Sequence, residues 1–168
     1  MARFIRTRVD PAKFLTELNT VLAPSFPLGQ FATMFYAVVN YKTGHMVYSG
    51  AGAPKPMVVS KRGVRLLDST GVPIGIIKKP DYFNIEDKLE ADESLFCYSD
   101  VLIEAPQKGG GMLGEDGFVE WVEEQAKEPD RHRLVARLLR RFFDVQPSSS
   151  LPDDLTAVAI HPNRGPKA

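Results

Sequence analysis

The chain has 168 residues, 43% of them hydrophobic and 25% charged, with 21 basic and 21 acidic side chains. That length and composition suit one globular domain with its own core, and the zero net charge removes the overall positive field that nucleic acid or an anionic membrane would need. Cys97 is the only cysteine, which excludes an internal disulfide framework and a cysteine-rich zinc site and points to a reducing, cytoplasmic setting.

Taken in order, the first residues, Met1 to Arg8, lack the apolar core of a signal peptide, and no later stretch approaches a membrane span. Asp10 followed by Pro11 is a cap and first-turn pair, and Phe14, Leu15, Leu18, Val21 and Leu22 then recur at helical spacing, predicting a helix over 10–22 that ends before Pro24. Strands are expected at 31–40, 45–49 and 57–60, with turns at Thr43-Gly44 and Arg62-Gly63 that make antiparallel hairpins. Two more strands, 82–89 and 94–99, flank the acidic turn Glu90 to Glu93. Pro106 to Gly111 carries three consecutive glycines and reads as a mobile surface loop. Two amphipathic helices follow, one built on Phe118, Trp121 and Val122 and the other on Leu134, Leu138 and Phe142, broken at Glu128-Pro129-Asp130. Gln146 to Ser150 is a second loop, a last strand runs to His161, and 163–168 is a disordered tail. Strands in a block, then helices, then a returning strand predict an α+β fold, with helices covering antiparallel sheets in one domain over 1–162.

The chemistry concentrates at two strand ends. Ser94 to Ser99 delivers Asp100 at its C-terminal end, and Asp153-Asp154 opens the run Leu155 to Ile160. If these strands are antiparallel neighbours, Asp100 and Asp153 meet at one end of the sheet. Two carboxylates at ~5 Å repel by roughly 3 kcal/mol at an effective dielectric near 20, so such a meeting calls for a cation or a shared proton. Asp154 is the alternative ligand, since neighbouring side chains on a strand point to opposite faces, and it also suits a turn cap. A hard cation such as Mg²⁺ or Mn²⁺ takes about six oxygens, and no second acid pair at a strand end occurs before residue 90. Other features carry less. Arg131, Arg133, Arg137, Arg140 and Arg141 read as a solvated helix face; His45, His132 and His161 are too dispersed for a metal cluster; Gly50-Ala51-Gly52 is a tight strand connection rather than a phosphate cradle.

Five segments in order, Phe31-Ala32-Thr33-Met34-Phe35-Tyr36, Tyr48 to Pro56, Thr70-Gly71-Val72-Pro73-Ile74-Gly75, Tyr98-Ser99-Asp100 with Val101 to Ala105, and Pro152 to Thr156, together resemble the SpoIIE-type branch of the metal-dependent 2C-like protein phosphatases, which regulates bacterial sigma factors. The resemblance implies two antiparallel sheets flanked by helices, with a metal cluster at one end. It implies hydrolysis of phosphoserine or phosphothreonine on a regulatory protein such as an anti-sigma-factor antagonist, with two Mn²⁺ or Mg²⁺ ions activating the attacking water. Asp100 and Asp153 would then be metal ligands and Asp154 an alternative or supporting group.

Three positions depart from the family pattern. The opening Asp-x-Ser-Gly-His-Gly-like stretch has no counterpart, so that the chain reads as beginning within the family's first helix; Val101 replaces a glycine, where its branched Cβ would disfavour positive φ; and Ala53 replaces a histidine. These departures predict partial metal occupancy at most and weak or no activity by this chain alone. The alternative is a pseudophosphatase that docks a regulatory protein without catalysis. A lost first helix would also expose apolar sheet surface and favour a homodimer.

Overall fold

The computed structural model describes residues 9–107, 110–146, 151 and 153–162. The expected loop residues 108–109 and 147–150 and the expected tail 163–168 lie outside that set. The contacts group into two compact units, whose described parts are residues 9–55 with 68–91, and residues 56–67 with 92–162.

The first unit begins with helix α1, Pro11–Leu22. Asp10 caps it as its sequence requires: one carboxylate oxygen accepts from the Lys13 amide at 3.1 Å and from the Asn84 side-chain amide at 2.8 Å, while Asn84 Oδ1 accepts from the Ala12 amide at 2.8 Å. Strands β1 (Met34–Val39) and β2 (His45–Ala51) form the expected hairpin, and β5 (Ile85–Lys88) pairs antiparallel with β2 on its other side, giving the order β1-β2-β5. The β5 strand is shorter than the expected 82–89. Before it, Tyr82 is buried and donates its hydroxyl to the Val72 carbonyl at 2.9 Å, and the Asn84 side chain helps cap α1. Leu15 on α1 packs with Ala51, Ile74 and Tyr82 to make this unit's core, and the Phe14 ring stacks on Tyr36 with centroids 4.4 Å apart.

Asn19 is fully buried, which a helix tolerates only if its amide is satisfied. Its Oδ1 accepts from the Gly75 amide at 2.8 Å and its Nδ2 donates to the Ile77 carbonyl at 3.0 Å, tying the 73–78 segment to α1. The glycines of the quoted motifs have a packing reason here. A Cβ on Gly71 would lie 1.9 Å from the Gly50 carbonyl oxygen, and one on Gly52 would lie 2.4 Å from the Pro73 ring. Gly50-Ala51-Gly52 is thus the tight strand connection anticipated, pressed against the Ser69 to Pro73 segment.

The second unit carries the antiparallel sheet β4-β3-β6-β7, built from β3 (Met57–Ser60), β4 (Gly63–Leu66), β6 (Ser94–Tyr98) and β7 (Ala157–Ile160). Helices α2 (Gly114–Ala126) and α3 (Leu134–Val145) cover one face, with the break between them where Pro129 predicts it. Phe96, Phe118, Phe142, Leu102, Leu138 and Met57 are at most 1% exposed and form the core with their neighbours. Burying side chains of this size contributes about 1.5–3 kcal/mol each. Consecutive strands β5 and β6 are not partners; each joins a different sheet.

The arginines on the third helix are bound within the chain more than a solvated face would be. Arg137 donates to the Gln125 side-chain and backbone oxygens at 3.1 and 2.8 Å and to the Asp130 carbonyl at 2.9 Å, and Arg141 pairs with Glu124 and lies over the Trp121 ring, 4.5 Å from its centre. They lock α2 to α3. The histidines are not all dispersed either: His132, in the α2–α3 connection, and His161, just after β7, arrive at the same end of the sheet with ring centres 4.7 Å apart. Only His45 stays apart, 3.5 Å from Glu86.

Candidate metal centre

The condition set by the two strand ends is met: β6 and β7 are antiparallel neighbours, with Leu95 opposite Ile160 and Tyr98 opposite Ala157. Beyond Tyr98 the pairing continues through one residue. The Ser99 amide donates to the Thr156 carbonyl at 2.9 Å; its hydroxyl accepts from the Thr156 amide at 2.9 Å and donates to the Asp154 carbonyl at 3.0 Å. A side chain takes the place of a backbone carbonyl, so Ser99 clamps the 154–156 segment to the end of β6. Asp100 then leaves the sheet into a 3-10 turn, Asp100–Leu102, whose first carbonyl accepts from the Ile103 and Glu104 amides at 2.8 and 3.1 Å.

Asp100, just after β6, and Asp153 and Asp154, just before β7, therefore lie in segments at the same end of the β6–β7 pair, and all three are exposed. One oxygen of Asp153 accepts from the Asp154 amide at 2.7 Å, so the capping role weighed for Asp154 falls to Asp153. Among the described residues the carboxylates of Asp100 and Asp154 accept no hydrogen bond, which leaves their oxygens open. Carboxylate oxygens are the donors a hard divalent cation selects. The donor type thus fits Mn²⁺ or Mg²⁺, but no three His, Cys, Asp or Glu side chains among the described residues are grouped to hold one ion.

Next to the acids the chain turns inward. Tyr98 is buried, stacked near Phe96 and 4.8 Å from the Phe118 ring centre, and burial together with the nearby Glu115 charge pushes its hydroxyl well above the usual tyrosine range. Burial likewise pushes the Cys97 thiol up to about 11, which makes it inert at neutral pH. The strain expected at Val101 does not arise. No described non-glycine residue has positive φ, and the Val101 side chain is 1% exposed, buried in the core beneath the turn. Val101→Gly is accordingly expected to open a cavity and destabilise the protein by about 2–4 kcal/mol, read as a lower urea midpoint, rather than to free the site. An unchanged midpoint would contradict this placement.

Ser99 is the residue whose role the sequence did not disclose, although it lies inside the quoted motif. Its signal is a hydroxyl at the last extended position before a strand-end acid, where a side chain can replace a missing ladder partner.

The family model described as Stage II sporulation protein E (SpoIIE) matches residues 1–163. Among curated proteins, phosphoserine phosphatase RsbU of Bacillus subtilis (strain 168) is 27% identical over 156 residues, which cover 92% of this chain and 46% of that protein. Protein IcfG of Synechocystis sp. is 22% identical over 137 residues, 81% of this chain and 21% of that protein. The chain therefore spans less than half the length of either relative. Similar solved structures include the RsbU and RsbW domains of a Mycobacterium tuberculosis protein (TM-score 0.71, 23% identity, 89% of this chain and 41% of that one) and the SiaA-PP2C domain of Pseudomonas aeruginosa (TM-score 0.73, 21% identity, 90% and 60%). The Mn-presoaked phosphatase domain of Bacillus subtilis SpoIIE also superposes (TM-score 0.64, 16% identity, 99% and 74%). With its model matched along nearly the whole sequence, the chain belongs to the SpoIIE family, and its α+β fold is shared with the solved PP2C-type domains.

Proposed function

We propose that this chain is the phosphatase portion of a sigma-factor regulator and serves the removal of phosphate from phosphoserine or phosphothreonine on a small regulatory protein, an anti-sigma-factor antagonist in chemical type. Asp100 and Asp153 are its metal ligands, with Asp154 as the alternative. The observation that carries this reading is the Ser99 clamp, which brings both acidic segments to one end of the β6–β7 pair. Mn²⁺ or Mg²⁺ bound there supplies charge neutralisation at phosphorus and an acidified water. The chain's own part is to hold exposed carboxylate oxygens at the hydrogen-bonded end of the β6–β7 pair. Kinship with a phosphoserine phosphatase supports the substrate class.

A second reading rests on a specific observation, the lack of a three-ligand group among the described residues. A centre this sparse binds metal weakly, and a domain that docks a regulatory protein without turnover remains the alternative.

Calorimetric Mn²⁺ titration alongside phosphate release from a phosphoserine protein separates the two. The expected result is weak Mn²⁺ binding and slow release by the chain alone, both lost in Asp100→Asn with an unchanged melting temperature, because that carboxylate is exposed. Mn²⁺ binding unaffected by Asp100→Asn would overturn the ligand assignment. Tight binding of the phosphoprotein with no metal-dependent release would instead establish the docking reading.

A further inference from the structure

At the other end of β6 from the acids, three side chains from separate parts of the sequence meet. Ser94 begins β6 and is 2% exposed; its hydroxyl lies 2.5 Å from His161 Nδ1, and the His161 ring meets His132 at an interplanar angle of 73° with ring centres 4.7 Å apart. The Ser94 contact fixes the orientation of the His161 ring and leaves Nε2 on its far side. Among the described residues neither Nε2 of His161 nor either ring nitrogen of His132 makes a hydrogen bond. His132 is exposed, so the nitrogens are reachable from solvent.

We propose that this imidazole pair is a binding site for a borderline divalent cation of the zinc, nickel or copper class, separate in chemistry from the carboxylate centre. Two observations carry it. First, the spacing fits: with nitrogen–metal bonds of about 2.0–2.1 Å, two imidazoles on one ion hold their ring centres roughly 4.5–5.3 Å apart, and these two stand at 4.7 Å. Second, the Ser94 hydroxyl engages the non-ligating nitrogen of His161, the kind of outer contact that sets ring orientation and tautomer in histidine metal sites. Imidazole nitrogen selects zinc, nickel and copper over magnesium and manganese. An ion held there joins the α2–α3 connection to the end of β7, and water completes its coordination.

The test titrates the full chain with ZnCl₂ alone, by calorimetry and by thermal melting. Wild type is expected to bind one equivalent with a raised melting temperature; His132→Ala and His161→Gln are each expected to bind at least tenfold more weakly and to lose the shift. Asp100→Asn and Asp153→Asn are expected to bind zinc at this site as wild type does. His132 is exposed, so His132→Ala decides the matter even if His161→Gln fails to fold. No zinc binding by wild type, or unweakened binding by His132→Ala, overturns the proposal. Loss of binding in Asp100→Asn with retention in His132→Ala also overturns it, by placing the ion on the carboxylates instead.

Discussion

Gly71→Ala is expected to destabilise the folded protein severely. The added Cβ would sit 1.9 Å from the Gly50 carbonyl oxygen and 3.0 Å from both the Gly50 carbonyl carbon and Tyr82 Cδ1. Two of those atoms are backbone of the β2 strand, which at Gly50 pairs with Phe35 and cannot yield without disturbing its ladder with β1. The cost is about 3–5 kcal/mol, at the upper end of overpacking penalties, against a typical total stability of about 5–15 kcal/mol. Gly117→Ala is the control: its Cβ would come within 2.6 Å of Leu113 Cδ1, the end of a flexible side chain, and alanine gains helix propensity on α2. Urea denaturation of the pair should show a large loss of midpoint for Gly71→Ala and a small change for Gly117→Ala. Equal midpoints would mean that the close approach of the Gly50 and Gly71 backbones is not a feature of the folded chain.

The second large effect is expected at Ser99. Ser99→Ala removes the hydroxyl that accepts from the Thr156 amide and donates to the Asp154 carbonyl, so the segment carrying Asp153 and Asp154 keeps only the Ser99 amide to Thr156 carbonyl bond at the end of β6. Two backbone groups exchange their partner for water, since both bonds are exposed, a destabilisation of about 0.5–1.5 kcal/mol. More telling is the metal. If Asp100 and Asp153 share an ion, as proposed, freeing one of them should weaken Mn²⁺ binding at least tenfold, about 1.4 kcal/mol or more, although alanine removes no ligand. Ser99→Thr keeps the hydroxyl and should restore much of the affinity. Calorimetry on the three proteins reads this directly; Mn²⁺ affinity in Ser99→Ala equal to wild type would show that the clamp does not organise the acids.

Elements with strong local signals were legible without the structure. Asp10-Pro11 and the Phe14, Leu15, Leu18, Leu22 spacing gave a helix that the structure bounds at Pro11–Leu22, because cap, φ restriction and apolar stripe agree within a dozen residues. The break at Pro129 and the β1–β2 hairpin were equally local. The candidate acids were visible because strand polarity alone sends Asp100 and Asp153 to the same end once the two strands are neighbours.

What the sequence determined by itself is the kind and order of the elements apart from β4, whose four residues were not singled out, their α+β grouping and the oxygen-donor chemistry at two strand ends, since each depends on spacing within a short window. Only the tertiary structure decided the rest. It assigned β5 and β6 to different sheets, moved Val101 from the site into the core, gave Asn19 and Ser99 their partners 50 or more residues away, and brought His132 and His161 into contact. These outcomes depend on which backbone groups a buried polar side chain must satisfy and on which chain ends a sheet register aligns. Both are settled by contacts between segments distant in sequence, where periodicity and propensity carry no signal.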